Sequence, residues 1–210
     1  MPDVISYAMK YFSFLMCLIS FAACNSKTDS PSITSFKNLT SDSLLQERIS
    51  TKVKALNISD ISKGVDSFEF RIWYGLSIAT PKQLVTMKYQ DSTWTLTKTD
   101  YWLDYKWVNG RPVKALLDSS FTISRQLNFD VPKFVDSILQ FRIDTFPSQY
   151  DIPNFQDRVA DGMFYEFELA TSHFYKAVVY FNPQKYQDVY DRKIANLIQM
   201  LRKIGVYSMP

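Results

Sequence analysis

The chain has 210 residues, of which 46% are hydrophobic and 16% aromatic, and its formal net charge is +3. This hydrophobic fraction is typical of a globular protein and excludes a disordered or collagen-like chain. The lysines and arginines are scattered, whereas a nucleic-acid-binding protein would show a clustered basic footprint. We therefore expect one globular domain with a substantial core and no nucleic-acid partner.

The first segment has the features of an export signal. Thirteen uncharged residues, 11–23, follow Lys10 and end in two alanines. This run is shorter than the roughly 20 apolar residues of a transmembrane helix, but it has the length and the small-residue end of a secretory signal peptide. Because residues 1–8 contain Asp3 and no positive charge, Met9 suits the start of such a signal better than Met1.

A cysteine stands at the end of this signal, since Cys24 directly follows Ala22 and Ala23. The arrangement resembles the lipobox of bacterial lipoproteins, although Phe21 occupies a position that is usually Leu or another aliphatic residue. The resemblance implies cleavage after Ala23, a diacylglycerol thioether on Cys24 and acylation of the new amino group. Two or three acyl chains would anchor the protein stably at a membrane, whereas one would not. The alternative is an ordinary cleaved signal with a coincidental cysteine.

The segment after Cys24 is predicted to be a flexible tether. Thirteen of the nineteen residues from Asn25 to Ser43 are Ser, Thr, Asn or Asp, a composition that cannot bury enough apolar surface to fold. An aspartate directly after the cysteine would imply retention at the inner membrane, and position 25 is asparagine, so the resemblance implies the outer membrane. The predicted organisation is therefore a signal peptide (1–23), a lipidated cysteine with its tether (24–43) and a single domain (44–210).

The first half of the domain is predicted to be a helix followed by strands. Leucine, isoleucine and valine at near-helical spacing predict a helix over 44–56, with Ser41 or Asp42 as its N-cap. Alternating apolar and polar residues then predict strands. The predicted strands cover 68–78, 84–89, 93–105 and 121–127.

The second half is predicted to contain two helices around a hairpin. Asp130 can cap a helix from Val131 to about Phe141, and the hairpin strands cover 163–170 and 174–181. Asn182 and Pro183 suit the start of a final helix that ends before Gly205. The pattern indicates an α+β fold: an antiparallel sheet of about five to seven strands with flanking helices and a long C-terminal helix packed on one face.

The composition excludes several kinds of site in the domain. The chain has one histidine, His173, and no cysteine after Cys24, so a zinc site of several His and Cys ligands cannot be built there. A histidine in a hairpin turn is more often solvated than a catalytic base. The five glycines are spread singly and form no phosphate-binding loop. We therefore expect no metal and no cofactor.

Two carboxylates and a tryptophan are the candidate surface residues. Glu166 and Glu168 are two residues apart on a predicted strand and therefore share a face, where paired carboxylates could act on a glycan or bind a cation. The alternative is a polar hairpin face opposite Lys176 or Arg71. Trp73 lies beside Arg71 on the polar face of its strand, and an exposed tryptophan would make a platform for a sugar or a protein. Its alternative is a core position beneath a helix.

The chain as a whole resembles the small lipoproteins common in Bacteroidota. The features that carry this resemblance are Cys24, the strand 70–73, Asp161–Gly162 and the segment 180–183. The resemblance implies no particular activity. We expect a non-catalytic envelope module that binds a protein or a glycan, and the alternative is an envelope hydrolase that acts on glycan or cell-wall substrates through Glu166, Glu168 or Asp161.

Overall fold

The computed structural model describes residues 35–203 except 77–80, 109–110, 127–130, 154 and 156–161. The strands are β1 (Lys37–Asn38), β2 (Phe68–Leu76), β3 (Lys82–Gln90), β4 (Thr93–Val108), β5 (Arg111–Gln126), β6 (Met163–Thr171) and β7 (Phe174–Phe181). The helices are α1 (Ser43–Leu56), α2 (Val131–Gln140) and α3 (Val189–Lys203). Single 3₁₀ turns cover Ile143–Thr145, Gln149–Asp151 and Pro183–Lys185. None of the helices described is long and apolar enough to span a membrane.

The strands form one sheet in the order β1-β7-β6-β2-β3-β4-β5. The α+β prediction is confirmed, and the described sheet has seven strands. The prediction of a purely antiparallel sheet is wrong, because β1 pairs with β7 in parallel. All other neighbouring pairs are antiparallel.

The parallel strand comes from residues that were predicted to belong to the tether. The amide of Lys37 donates a hydrogen bond of 3.0 Å to the carbonyl of His173. Such backbone pairing does not depend on apolar side chains, so the polar composition of this segment did not reveal it. The tether prediction is therefore wrong for residues 35–43, which belong to the fold. The predicted signal peptide, Cys24 and the rest of the tether lie outside the described residues.

Helices cover both faces of the sheet, and each face carries its own core. On β2, Phe70 and Ile72 point to the face that is covered by α2 and α3, whereas Arg71 and Trp73 point to the face that is covered by α1. The α1 core contains, among others, Leu45, Ile49, Val53, Trp73, Leu84, Tyr101 and Val179. The alternation predicted for β2 is thus correct, but its polar face is buried instead of facing solvent.

The predicted helix starts agree with the structure at α1 but not at α3. Asp42 caps α1, since its Oδ1 accepts a hydrogen bond of 2.9 Å from the amide of Leu45. Asn182 instead enters a 3₁₀ turn, and α3 begins only at Val189. Asn182 does not cap a helix because its Oδ1 accepts a hydrogen bond from the amide of Met163. Asp130 and Gly205 lie outside the described residues.

β4 and β5 make a long hairpin at one edge of the sheet. β5 begins at Arg111, ten residues before the predicted start. The prediction missed this part of the strand because polar residues and two register shifts against β4 interrupt the alternation of apolar and polar residues. Phe121 and Ile123 of this edge strand are exposed, with relative exposures of 63% and 55%. β4 contributes Leu96 and Tyr101 to the two cores, whereas these two exposed side chains belong to neither core.

Candidate functional site

The four candidate residues lie together on the α1 face of the sheet. Trp73 is opposite Glu166, and Arg71 is opposite Glu168, on the neighbouring strands β2 and β6. All four are buried. Trp73 is therefore a core residue, as in the alternative interpretation, and the exposed platform is not formed at this position. Of the other tryptophans, Trp102 is partly exposed, and the side chain of Trp107 lies outside the described residues.

Glu166 is held by two cations from α1. Its Oε1 accepts a hydrogen bond of 2.6 Å from Nε of Arg48, and its Oε2 accepts one from Nζ of Lys52. Residues four apart on a helix lie on the same face, so α1 delivers both cations to one carboxylate. The side chains of Lys52 and Glu166 are only 3% and 2% exposed, whereas that of Arg48 is 40% exposed. The cluster is thus a buried ion pair with one cation near solvent.

The predicted partners of the two glutamates, Lys176 and Arg71, make other contacts. On β7, Lys176 lies on the face of the sheet that is covered by α2 and α3, and its Nζ donates a hydrogen bond to the carbonyl of Leu39. Arg71 forms an ion pair of 2.6 Å with Glu69 on its own strand. Arg71 does face Glu168 across the sheet, as in the alternative interpretation, whereas the expectation for Lys176 is wrong because this residue lies on the other face. The cations that bind Glu166 come from α1 instead.

Opposing effects set the charge of the Glu166–Lys52 pair. Burial alone would raise the pKa of Glu166, but the charges and hydrogen bonds of Lys52 and Arg48 outweigh burial and hold this pKa below its usual value. Burial lowers the pKa of Lys52, and the charge of Glu166 opposes that effect. Glu166 is consequently an ionised acceptor at neutral pH, which suits a fixed structural charge better than a proton donor.

Glu168 has its own set of partners. Nε1 of Trp73 donates to it at 2.5 Å, and the hydroxyl of Tyr175 donates at 2.9 Å. Burial raises the pKa of Glu168, against the charge of Arg71 and these two hydrogen bonds. Nζ of Lys52 lies 4.6 Å from the centre of the Trp73 ring and so connects the surroundings of both glutamates.

A cavity of about 220 Å³ opens beside Glu166 but not beside Glu168. We call it the α1–β6 cavity; it is lined by Arg48, Lys52, Lys82, Tyr105, Phe164, Glu166 and Phe181. The lining residues come from one helix and four strands, namely α1, β3, β4, β6 and β7. The cavity therefore depends on the order of the strands in the sheet. Trp73, Arg71 and Glu168 lie on the same face of the sheet but do not line the cavity.

Lys82 adds a third cation. Its Nζ lies 4.9 Å from the centre of the Tyr105 ring. Burial lowers the pKa of Lys82, the charge of Glu166 opposes this effect, and the charge of Arg48 adds to it. No carboxylate in the described part of the chain forms an ion pair with Lys82. The cavity therefore combines three cations with one carboxylate.

This arrangement differs from that of a glycoside hydrolase. Such enzymes use two carboxyl groups that flank one bond, whereas Glu166 is the single carboxylate among the described lining residues and both of its oxygens are occupied. His173 is exposed in the turn between β6 and β7, as expected, and Asp161 lies outside the described residues. Among the residues described, no group of three or more His, Cys, Asp or Glu could hold a metal ion. The hydrolase alternative stays a prediction.

One feature of the sequence indicates the cations of α1, and the prediction missed it. The buried stripe of α1 reads Leu45, Ile49, Lys52 and Val53. A lysine inside an apolar stripe needs a buried partner, and Arg48 precedes it by one turn. Nothing local marks Lys82 or Tyr105, because strand pairing alone brings them to the cavity.

Comparisons with known proteins assign no family. No protein-family model matches the chain, and no curated protein matches it. The role of each lining residue therefore follows from the geometry of the α1–β6 cavity and from elementary chemistry.

Proposed function

We propose that the chain is a lipoprotein of the bacterial envelope whose domain is a non-catalytic binding module. The observation that carries the binding role is the α1–β6 cavity, where a buried Lys52–Glu166 pair stands beside aromatic walls. Pockets with a few fixed polar groups among apolar and aromatic side chains are typical ligand sites. The hydrogen bonds of Glu166 fix these charges before any ligand arrives, which lowers the entropic cost of binding.

The size of the cavity limits what enters it. Its volume of about 220 Å³ lies below the roughly 300–1,000 Å³ of pockets for drug-sized ligands. The occupant is therefore a small molecule or one protruding group of an envelope glycan or protein. Binding rather than hydrolysis is favoured because a saturated, ionised Glu166 has no proton to donate.

Membrane anchoring is supported by the sequence around Cys24. The uncharged run, the two alanines and the cysteine together resemble a lipobox, and the residue after the cysteine is compatible with the outer membrane. A lipid at Cys24 would place the domain, which includes Ser35 and the residues after it, close to the membrane surface. The proposed partners are accordingly the membrane, through the lipid, and an envelope ligand, through the cavity.

The anchor is tested by metabolic labelling of the full chain with a fatty acid. We expect Cys24→Ala to abolish incorporation of the label and to release the protein from the membrane fraction. Cys17→Ala is the matched control, since Cys17 lies inside the uncharged run and should leave labelling unchanged. Persistence of the label in Cys24→Ala would exclude lipidation at this residue.

The binding role is tested by cross-linked capture from the native envelope together with glycan arrays. Tyr105→Ala opens one wall of the cavity and should reduce retention of the captured ligand. Phe121→Ala is the control, because Phe121 is exposed on the edge strand outside the cavity. Equal retention by Tyr105→Ala and the wild type would contradict the proposal.

A further inference from the structure

We infer that the α1–β6 cavity binds an anionic group, a carboxylate or a phosphate, with the anion between Arg48 and Lys82. This inference rests on the proposed binding function and specifies the chemistry of its ligand. It is carried by the placement of charges and donors around the cavity. The two residues come from different elements, α1 and β3, and face one opening.

The first argument is the balance of charge. Arg48, Lys52 and Lys82 line the cavity, and Glu166 is the one carboxylate among the lining residues that the structure describes. Glu166 is already shared by Arg48 and Lys52. Positive charge is thus in excess at the site, and a cavity with low-dielectric walls concentrates the resulting field.

The second argument is the division of the cations into fixed and available ones. Lys52 is buried between Glu166 and the Trp73 ring, so its charge belongs to the framework. Arg48 uses Nε for Glu166, and its guanidinium carries four further N–H donors, on the two Nη atoms. Within the described part of the chain, these Nη atoms donate no hydrogen bond. They can therefore bind an oxyanion in the forked geometry that guanidinium groups favour.

The third argument is the mutual repulsion of Arg48 and Lys82. Burial lowers the pKa of Lys82, and the charge of Arg48 lowers it further. Both cations line the same cavity, and they repel each other there. An anion placed between them would turn this repulsion into two attractions, and it would favour the charged form of Lys82.

The fourth argument concerns the body of the ligand. Phe164 and Phe181 form apolar walls, with ring centres 6.4 Å apart, and Tyr105 closes the side next to Lys82. Aromatic walls beside an anion site favour a ligand with a flat or ring-shaped body. A small cyclic acid fits both the walls and the limited volume.

The test is isothermal titration of the full chain with sodium benzoate, with inorganic phosphate and with benzamide, at constant ionic strength. Benzamide has nearly the shape of benzoate but no charge. We expect benzoate or phosphate to bind and benzamide to bind at least about tenfold more weakly, which corresponds to about 1.4 kcal/mol. Binding of both anions supports the shared oxyanion chemistry, and binding of one alone identifies the ligand as a carboxylate or as a phosphate.

Variants locate the anion. Lys82→Gln should weaken anion binding about tenfold or more, and Lys82→Arg should restore most of it. Lys88→Gln is the matched control, because Lys88 is on the same strand and the same face but does not line the cavity. Melting curves at equal pH check that each variant is folded, and Lys82→Gln should remain so because, among the described residues, Nζ of Lys82 contacts the ring of Tyr105 and forms no ion pair.

Two outcomes would overturn the inference, and they separate it from the proposed function. If benzamide binds as tightly as benzoate and Lys82→Gln changes neither affinity, the cavity is a binding site without a role for the anion. If none of the three probes binds, the anion inference is rejected. In that case, the capture experiment with Tyr105→Ala decides whether the binding function also fails. The binding function fails too if Tyr105→Ala retains the captured ligand as well as the wild type does.

Discussion

Gly162 lies directly against the side chain of Asn182, and a Cβ atom at Gly162 would be 2.0 Å from Nδ2 of that asparagine. Oδ1 of Asn182 accepts a hydrogen bond of 2.9 Å from the amide of Met163, so this side chain has a fixed position. The contact joins the start of β6 to the end of β7. These strands carry Glu166 and Phe181 of the α1–β6 cavity.

Gly162→Ala should destabilise the fold because the added methyl group has no space. We expect a loss of about 1–3 kcal/mol in the free energy of unfolding, as for other overpacked sites, measured by urea denaturation. Gly75→Ala is the control: its Cβ would lie 3.1 Å from Cγ of Lys82, which is part of a flexible side chain. Equal stability losses in the two variants would show that the Asn182 contact does not limit position 162.

Glu166→Gln should destabilise the protein because it leaves Lys52 buried without a counter-charge. Removing one partner of a buried pair costs about 3–5 kcal/mol, and Arg48 contributes less because it is partly exposed. Combining Glu166→Leu with Lys52→Met should recover much of this loss, since neither charge then remains. The measurement is urea denaturation of the single and double variants at neutral pH.

An exposed ion pair provides the comparison for Glu166→Gln. Arg142 and Asp144 are 3.1 Å apart, and the side chain of Arg142 is 64% exposed. Asp144→Asn should reduce the free energy of unfolding far less than Glu166→Gln does, because solvent screens such pairs. A similar cost for Asp144→Asn and Glu166→Gln would contradict the assignment of Glu166 to a buried cluster.

Sequence patterns predicted the individual helices and strands better than the contacts between them. Period-two alternation located β2, the hairpin of β6 and β7 was also predicted, and Asp42 was one of the two residues proposed to cap α1, because these signals are local. The same alternation left open whether the face of Trp73 would be exposed. The alternation shows that the two faces of a strand differ in polarity. Tertiary packing decides whether helices cover one face of the sheet or both.

The candidate site shows the same limit. Glu166 was identified from its spacing to Glu168, but its partners were sought on neighbouring strands. Arg48 and Lys52 are more than one hundred residues away in sequence, so only the docking of α1 makes the contact. β1 escaped prediction for a related reason, because two residues that pair through backbone groups leave no side-chain pattern.

The two aromatic side chains Phe167 and Phe121 should differ strongly in their effect on stability. Phe167 is fully buried, and its ring stacks on that of Phe70 with centres 6.2 Å apart. Phe167→Ala should cost about 3–5 kcal/mol through lost burial and the cavity left behind. Phe121→Ala, on the exposed edge strand, should stay within about 0.5 kcal/mol. Urea denaturation compares them, and equal losses would contradict the assignment of the core to the helix-covered part of the sheet.

Asp191→Asn should stabilise the protein at pH 8 but not near pH 4. Burial raises the pKa of Asp191 to about 6, helped by Asp188 and opposed by a hydrogen bond from Gln149. A carboxyl group with a raised pKa favours the folded state below its unfolded pKa of about 3.9, and this contribution is lost as the pH rises through the folded value. Asparagine keeps an acceptor for Gln149 and removes the charge, so its melting-temperature advantage over the wild type should grow between about pH 4 and pH 6 and stay constant above about pH 6. Asp118→Asn, at an exposed position of β5, is the control substitution. A melting-temperature difference between Asp191→Asn and the wild type that stays constant from pH 4 to pH 8 would mean that Asp191 does not titrate in this range.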